Sequence, residues 1–338
     1  MGSGNWSADT YAKATGGKIL SGSTFGYTRA TKSTNPRDWK AHESLDPKKK
    51  AGKSSPLAGQ IVREARDNDE HPNSVPISVF FDETGSMGRI PRVVQEKLGG
   101  LFTLLLRKGY VEDPQLMVGA YGDAYTDTVP LQVGQFESDN RVDETLDNLF
   151  LEGYGGGNNG ETMSLAWYYL AHHTATDAWE KRGKKGYAFF IGDEVALDIQ
   201  FQQVKDVIGV EEPVGDLSTQ ALAEKLMEKW EVFILLIDNT ASAIQGSEKF
   251  YTNLFGSKRV LMLENPEAVA ETIALTVGAM EGTVDIDDAE NDLGDVGSDA
   301  VAIRTATQAV SKLADLSGGS VAKTAPDLGL ASTGNSRL

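Results

Sequence analysis

The chain has 338 residues, room for one large domain or two modest ones, and its 40% hydrophobic and 8% aromatic content excludes a chain disordered throughout. With 32 Lys and Arg against 49 Asp and Glu, the net charge of −17 disfavours nucleic acid and anionic membrane as partners and suits cations or basic surfaces. Zero cysteines exclude disulfides, thiolate nucleophiles and cysteine-built metal centres, and the four histidines (His42, His71, His172, His173) contain no HExxH pair.

Residues 1–72 are rich in Gly, Ser, Thr, Lys and Asn, with scattered aromatics (Trp6, Tyr11, Phe25, Tyr27, Trp39) and no sustained period. They read as an extended N-terminal arm lying over a main domain. The MGSGNWSADTYAKATGGK start has no apolar stretch of the secretory kind, and no apolar run approaches the ~20 residues of a bilayer span, so a cytoplasmic setting is expected.

From Val75 the texture changes. VPISVFF (75–81) is a continuous apolar run, the mark of a strand buried on both faces. Apolar residues at helical spacing from Ile90 to Lys108 (Val93, Val94, Leu98, Leu101, Phe102, Leu105) predict a helix ending at Gly109. LMVGAYG (116–122) is a second strand, and TVPLQVGQF (128–136) a third, placed at an edge by Pro130. A short helix is predicted over 143–151, a glycine loop over 153–161, and a helix over 162–174. YAFFIGD (187–193), VFILLID (232–238) and RVLML (259–263) complete six strands, with helices over 217–230 and from Pro266 to about Met280.

Buried strands alternating with amphipathic helices predict an α/β fold. The expected architecture is a doubly wound, mostly parallel six-stranded sheet with helices on both faces, over residues 73–282. Residues 283–338 read as an acidic linker, a short amphipathic helix and a disordered tail. The stretch 281–300 holds eight acids and no base, but Glu290 and Val296 stand where an EF-hand loop from Asp285 needs Gly and Glu. An apolar stripe of Ile303, Ala306, Val310 and Leu313 marks the helix.

Ligands of doubly wound sheets bind at the carboxyl ends of strands. Three polar segments sit there: DETGSM, GGGNNGET and GDE. In the first, Asp82, Thr84 and Ser86 follow a buried strand at i, i+2 and i+4, so a tight turn aims one carboxylate and two hydroxyls at one spot. These are hard oxygen donors suited to Mg²⁺, Mn²⁺ or Ca²⁺. The glycine loop adds Glu161 and Thr162, and Asp193 ends the fourth strand.

This pattern resembles the von Willebrand factor A (vWA) domain with a metal-ion-dependent adhesion site (MIDAS). The Asp-x-Ser/Thr-x-Ser motif is met by Asp82, Thr84 and Ser86, the loop threonine by Thr162, and the aspartate ending strand four by Asp193. GGGNNGET differs from the family in spacing, leaving Asn159 or Glu161 as alternative holders of the loop position, and Glu194 stands where the family often has Gly. GDAYTD and KRGKKGYAFFIGDE resemble bacterial and phage-encoded members. The resemblance, over roughly 75–280, implies a vWA/Rossmann-like fold and a metal-dependent protein–protein interaction module rather than an enzyme. It implies Mg²⁺ (or Mn²⁺ or Ca²⁺) bridging to an Asp or Glu of a partner protein. Some members work beside MoxR-type AAA+ ATPases; a cytoplasmic or virion-associated setting follows.

Two alternatives stand beside it. One is a structural component of a virion or other large assembly built on the same scaffold. The other is a Mg²⁺-dependent phosphotransferase resembling the haloacid-dehalogenase type, with Asp82 as nucleophile and GDEVALD (192–198) as the magnesium motif. Against it, soluble phosphatases of that type have Asp where Thr84 stands, and Ser86 and the triple glycine would have no role.

Overall fold

A computed structural model describes residues 6–7, 9–10, 26–88, 90–153, 160–237, 241–285, 288–295 and 297–313. In chain order the elements are α1 (Gly26–Lys32), β1 (Arg63–Ala65), β2 (Val75–Asp82), α2 (Ile90–Arg107), β3 (Pro114–Tyr121), β4 (Leu131–Val133), α3 (Arg141–Asp147), α4 (Ser164–His172), β5 (Thr174–Thr176) and α5 (Asp177–Arg182). There follow β6 (Gly186–Gly192), α6 (Phe201–Ile208), α7 (Thr219–Lys229), β7 (Trp230–Ile237), α8 (Ala241–Phe255), β8 (Val260–Leu263), α9 (Val269–Glu281), α10 (Ala289–Asp295) and α11 (Ala300–Val310).

The main sheet has the order β4-β3-β2-β6-β7-β8. Five strands are parallel, and β4 pairs antiparallel with β3 at one edge, so the sheet is mixed. Within 128–136 only Leu131–Val133 are ladder residues; Pro130 has no N–H to donate, and its carbonyl accepts from the Gly122 N–H at 3.1 Å. β2 lies centrally, buried at all eight positions, and the pleat sends alternate side chains to opposite cores. Ile77, Val79 and Phe81 enter a core with α2, α9 and α11; Phe80 enters a second core with α4, α7 and α8. Helices therefore cover both faces. The chain leaves β2 first for β3 on one side and later for β6 on the other, and the crevice of an open parallel sheet opens at such a reversal.

Helices α5 and α6, of six and eight residues, and α8, of fifteen, lie outside the expected elements; α6 buries Val204 and Ile208 on one side. β1 and β5 form a separate three-residue parallel pair that joins the arm to the chain after α4. The acidic stretch expected as a linker contains α10, where Ala289 and Leu293 are buried. Its charges are engaged: the Tyr110 hydroxyl donates to Asp292 at 3.2 Å, and Lys108 pairs with the same carboxylate at 3.0 Å. α11 buries Ala306 and Val310, and Leu313 just beyond it is buried too. The expected tail beyond 313 lies outside the described residues.

The arm packs through named contacts. Trp6 stacks on Phe102 at 5.2 Å and donates to Thr103 Oγ1 at 3.1 Å. Trp39 meets Phe150 edge-on at 5.3 Å. The Thr28 hydroxyl donates to Leu149 O at 2.9 Å and accepts from Leu151 N at 3.1 Å. Tyr11 and Phe25 lie outside the described residues. Arg63, 2% exposed, donates to the carbonyls of Asp46 (2.8 Å), Lys49 (2.8 Å), Gly134 (3.1 Å) and Val133 (3.2 Å), binding two turns of the arm to the exit of β4. Its guanidinium lies 5.7 Å from the centre of the Tyr169 ring. Four carbonyls converge on one buried side chain, two of the bonds fully buried and two partly, and each lost bond to a charged group costs roughly 1.5–3 kcal/mol. Arg63→Met is expected to destabilise the fold by at least about 3 kcal/mol in urea unfolding and to release the arm to limited proteolysis before the sheet is cut; an unchanged midpoint would show that the arm contributes nothing to stability.

Candidate functional site

The site begins with Asp82, the last residue of β2, in register with Tyr121 at the end of β3. Its carboxylate is 1% exposed. Oδ1 accepts from both the N–H and the hydroxyl of Thr84, each at 2.7 Å, which closes the turn. Oδ2 meets no hydrogen-bond donor among the described residues. Thr84, itself 1% exposed, precedes the single 3₁₀ turn Gly85–Met87 that carries Ser86 toward α2. The side chain of Ser86 lies outside the described positions.

Tyr121 ties the neighbouring exits together, its hydroxyl donating across β2 to Ile191 O at 2.9 Å. This close approach requires Gly192, since a Cβ there would lie 2.4 Å from the Tyr121 oxygen. Asp193 follows, half-buried, at the end of β6. α8 holds this exit loop: Ser247 Oγ donates to Asp193 O at 2.9 Å and Tyr251 Oη to Glu194 O at 2.8 Å.

Thr162 is fully buried and locks the β3 exit. Its N–H (3.2 Å) and hydroxyl (2.9 Å) both donate to Gly122 O, and its Oγ1 accepts from Ala124 N at 2.8 Å. Glu161 locks the β6 exit by a strand-like bridge, with its N–H donating to Val195 O at 3.0 Å and its carbonyl accepting from Leu197 N at 2.8 Å. Its side chain is 2% exposed, and neither carboxylate oxygen meets a donor among the described residues. Asn159 lies outside the described residues. Thus Asp82, Thr84, Thr162 and Asp193 do come to one edge of the sheet, together with Glu161.

Glu83 and Glu152 had no assigned role in the sequence motifs, and Glu194 was marked only as standing where the family often has Gly. Glu83 turns the other way from Asp82: it accepts from Glu152 N at 2.7 Å and Gln132 Nε2 at 3.4 Å. Glu152 in turn accepts from Thr128 N and Val129 N. Only the contact of β2 with β4 and the segment after α3 reveals this pair. Asp123 and Asp127 shape the loop after β3, Asp127 Oδ2 accepting from Asp123 N at 2.6 Å. His172 and His173 pack among aromatics at the far end of α4, and His173 Nδ1 bonds Ile61 O at 2.9 Å.

Burial pushes the Asp82 carboxyl up to about 8, opposed by the bonds from Thr84 and reinforced by the charges of Asp193 and Glu194. Glu161 moves in the same direction, through burial first and then the charges of Asp82, Asp123, Glu194 and Asp127. Glu194 also rises, by burial and by Asp193 and Asp123. Among the described residues no group of three or more His, Asp or Glu side chains is placed to hold a metal ion unaided. Hydroxyls are therefore needed beside the acids. The fit to a hard divalent cation rests on the donor chemistry: the orphaned Oδ2 of Asp82, the orphaned carboxylate of Glu161, and the hydroxyls of Thr84 and Thr162.

The raised values make a pH prediction. Ordinary carboxyls titrate near ~4 in the unfolded chain. A proton held more tightly in the fold stabilises it fully below that value, and the contribution is lost as the pH rises through the folded value of about 8 for Asp82. The melting temperature in EDTA is expected to fall between about pH 5 and about pH 8, and the fall to shrink in Asp82→Asn. Identical profiles for the two proteins would refute this burial effect.

No family model and no curated protein matches the chain. Among solved structures, it is similar to the pilus adhesin SpaC from Lactobacillus rhamnosus GG in an open conformation, with TM-score 0.43 and 11% identity over 63% of this chain and 31% of that one. It is also similar to proximal thread matrix protein 1 from the mussel byssus, with TM-score 0.42 and 12% identity over 60% of this chain and 47% of that one. The chain spans less than half the length of either protein.

Proposed function

We propose that residues 73–282 form a vWA-type module whose MIDAS-type site holds Mg²⁺, with Mn²⁺ or Ca²⁺ as alternatives, and that the module binds a partner protein through an Asp or Glu of that partner. The observation that carries this reading is the Asp82 carboxylate, buried at the reversal of the sheet, fixed on one oxygen by Thr84 and, among the described residues, lacking a donor on the other. A carboxylate removed from water without a counter-charge costs several kcal/mol, and a divalent cation offsets that cost.

In this reading Asp82, Thr84, Ser86, Thr162 and Asp193 would hold the ion. The cation supplies an electrophilic centre for an anionic oxygen. Thr84 holds Asp82 in one orientation, and Asp193 adds negative charge at the neighbouring exit. α8 keeps Asp193 there through Ser247, so the pocket is preorganised rather than assembled on binding. The chemistry is that of binding, with no nucleophile or general base assigned. A MoxR-type AAA+ ATPase or a virion protein fits the partner class, in a cytoplasmic or virion-associated setting. No described helix is long and apolar enough to cross a membrane.

Calorimetry with Mg²⁺ or Mn²⁺ tests the reading directly. Asp82→Ala is expected to abolish measurable binding, and Asp193→Ala to weaken it by about 10–100-fold, the range for residues that support a metal through its ligands. Wild-type affinity in Asp82→Ala would remove the metal site. Turnover of p-nitrophenyl phosphate with Mg²⁺, lost in Asp82→Asn, would replace it with the phosphotransferase.

A further inference from the structure

Resting on the metal-site reading above, the geometry points to Glu161 as a direct, anionic ligand of the cation at Asp82, in place of Thr162, and to the ion as a resident part of the fold rather than one captured together with a partner.

Three observations converge. First, the backbone of Glu161 is pinned on one flank of Asp82: its N–H and carbonyl pair with Val195 and Leu197 beyond β6, while the next residue, Thr162, is bonded to Gly122 beyond β3. Since β2 lies between β3 and β6, this residue pair spans the exit of β2, where Asp82 stands. Second, the Glu161 side chain is 2% exposed and both its oxygens lack donors among the described residues, as does Oδ2 of Asp82 at 1% exposure. Three orphaned carboxylate oxygens at one strand exit lack a counter-charge of the kind only a cation supplies there. Third, Thr162 is already largely engaged. Its hydroxyl proton goes to Gly122 O and one lone pair to Ala124 N, which leaves a single neutral lone pair, whereas both carboxylate oxygens of Glu161 lack donors among the described residues.

The charge consequence is definite. Asp82 and Glu161 together carry −2 when ionised, which balances one divalent ion. Occupancy then does not wait for a partner's carboxylate. Metal binding is coupled to the fold itself, because the same two carboxylates repel each other when the ion is removed.

Titration of the purified full chain with Mn²⁺ alone, together with melting curves in EDTA and in Mn²⁺, tests this. Glu161→Gln keeps the shape and removes the charge. Its Mn²⁺ affinity is expected to fall at least about tenfold, a lower limit set by what even supporting residues of metal sites cost. Its melting temperature in EDTA is expected to exceed that of wild type, with the gain on adding Mn²⁺ largely gone. Thr162→Val is expected to melt lower yet to keep most of its Mn²⁺ affinity. If Asp82→Asn loses Mn²⁺ while Glu161→Gln binds like wild type, the assignment of Glu161 is overturned and the metal site stands. If wild type itself binds no Mn²⁺, both readings fall. Should Glu161→Gln not fold, Glu161→Asp withdraws the carboxylate by one methylene: lowered affinity supports the assignment and unchanged affinity overturns it.

Discussion

A carboxylate buried at the centre of a parallel sheet's carboxyl edge is the constraint around which this molecule is arranged. Asp82 emerges at the reversal of the sheet, and its neighbours are mostly acids: Asp193 and Glu194 past β6, Asp123 and Asp127 past β3, and Glu161 bridged to the β6 exit. Mutual repulsion in a poorly hydrated pocket opposes folding unless protons or a cation intervene. Tyr121 fastens β3 to β6, Thr162 fastens the loop after β3, and Ser247 and Tyr251 fasten the loop after β6. Every one of these clamps is a side chain bonded to a main-chain carbonyl, so they hold the loops without engaging Asp82 or Glu161.

Asp82 and Glu83 show how local donors decide the role of a buried acid. They are adjacent in sequence, both 1% exposed, and both pushed upward by burial. Glu83 finds the Glu152 N–H and the Gln132 amide, and becomes a cross-tie between β2, β4 and the segment after α3. Asp82 has one oxygen bonded by Thr84 and the other without a donor among the described residues. The strand's alternation sends the two side chains to opposite sides, so one is structural and the other remains available for ligand chemistry.

The described parts of the terminal segments pack into the core beneath α2 and α9. Trp6 lies on Phe102 of α2, Leu45 is buried with its carbonyl bonded to Val133 N, and α11 packs on α9. Arg63 provides the strongest tie, a single guanidinium joining carbonyls from the arm and from the chain after β4. This arrangement leaves the carboxyl edge of the sheet framed by loops whose positions are set from below by the cores and from the side by the arm.

Much of the fold was legible in the residues themselves. Most strands of the main sheet are largely apolar runs, because a strand covered on both faces has no solvent side to encode; β4 departs from this, with buried Gln132 between Leu131 and Val133. The long helix over 90–107 shows its apolar stripe, whereas the one over 269–281 is buried continuously from Thr272 to Ala279 and reads as an apolar run. The DETGSM turn was equally plain, since three oxygen donors on alternate residues after a buried strand need no distant partner to be recognised. Tertiary structure alone decided the rest. β1 and β5 are three residues each and exist only through pairing with one another, 111 positions apart at Arg63 and Thr174. α10 is a helix inside an acid-rich stretch because Ala289 and Leu293 find the core. The difference between Glu161 and Thr162 is likewise invisible in GGGNNGET. It arises because adjacent residues bridge different strand exits, which commits the hydroxyl to Gly122 and Ala124 and leaves the carboxylate buried beside Asp82.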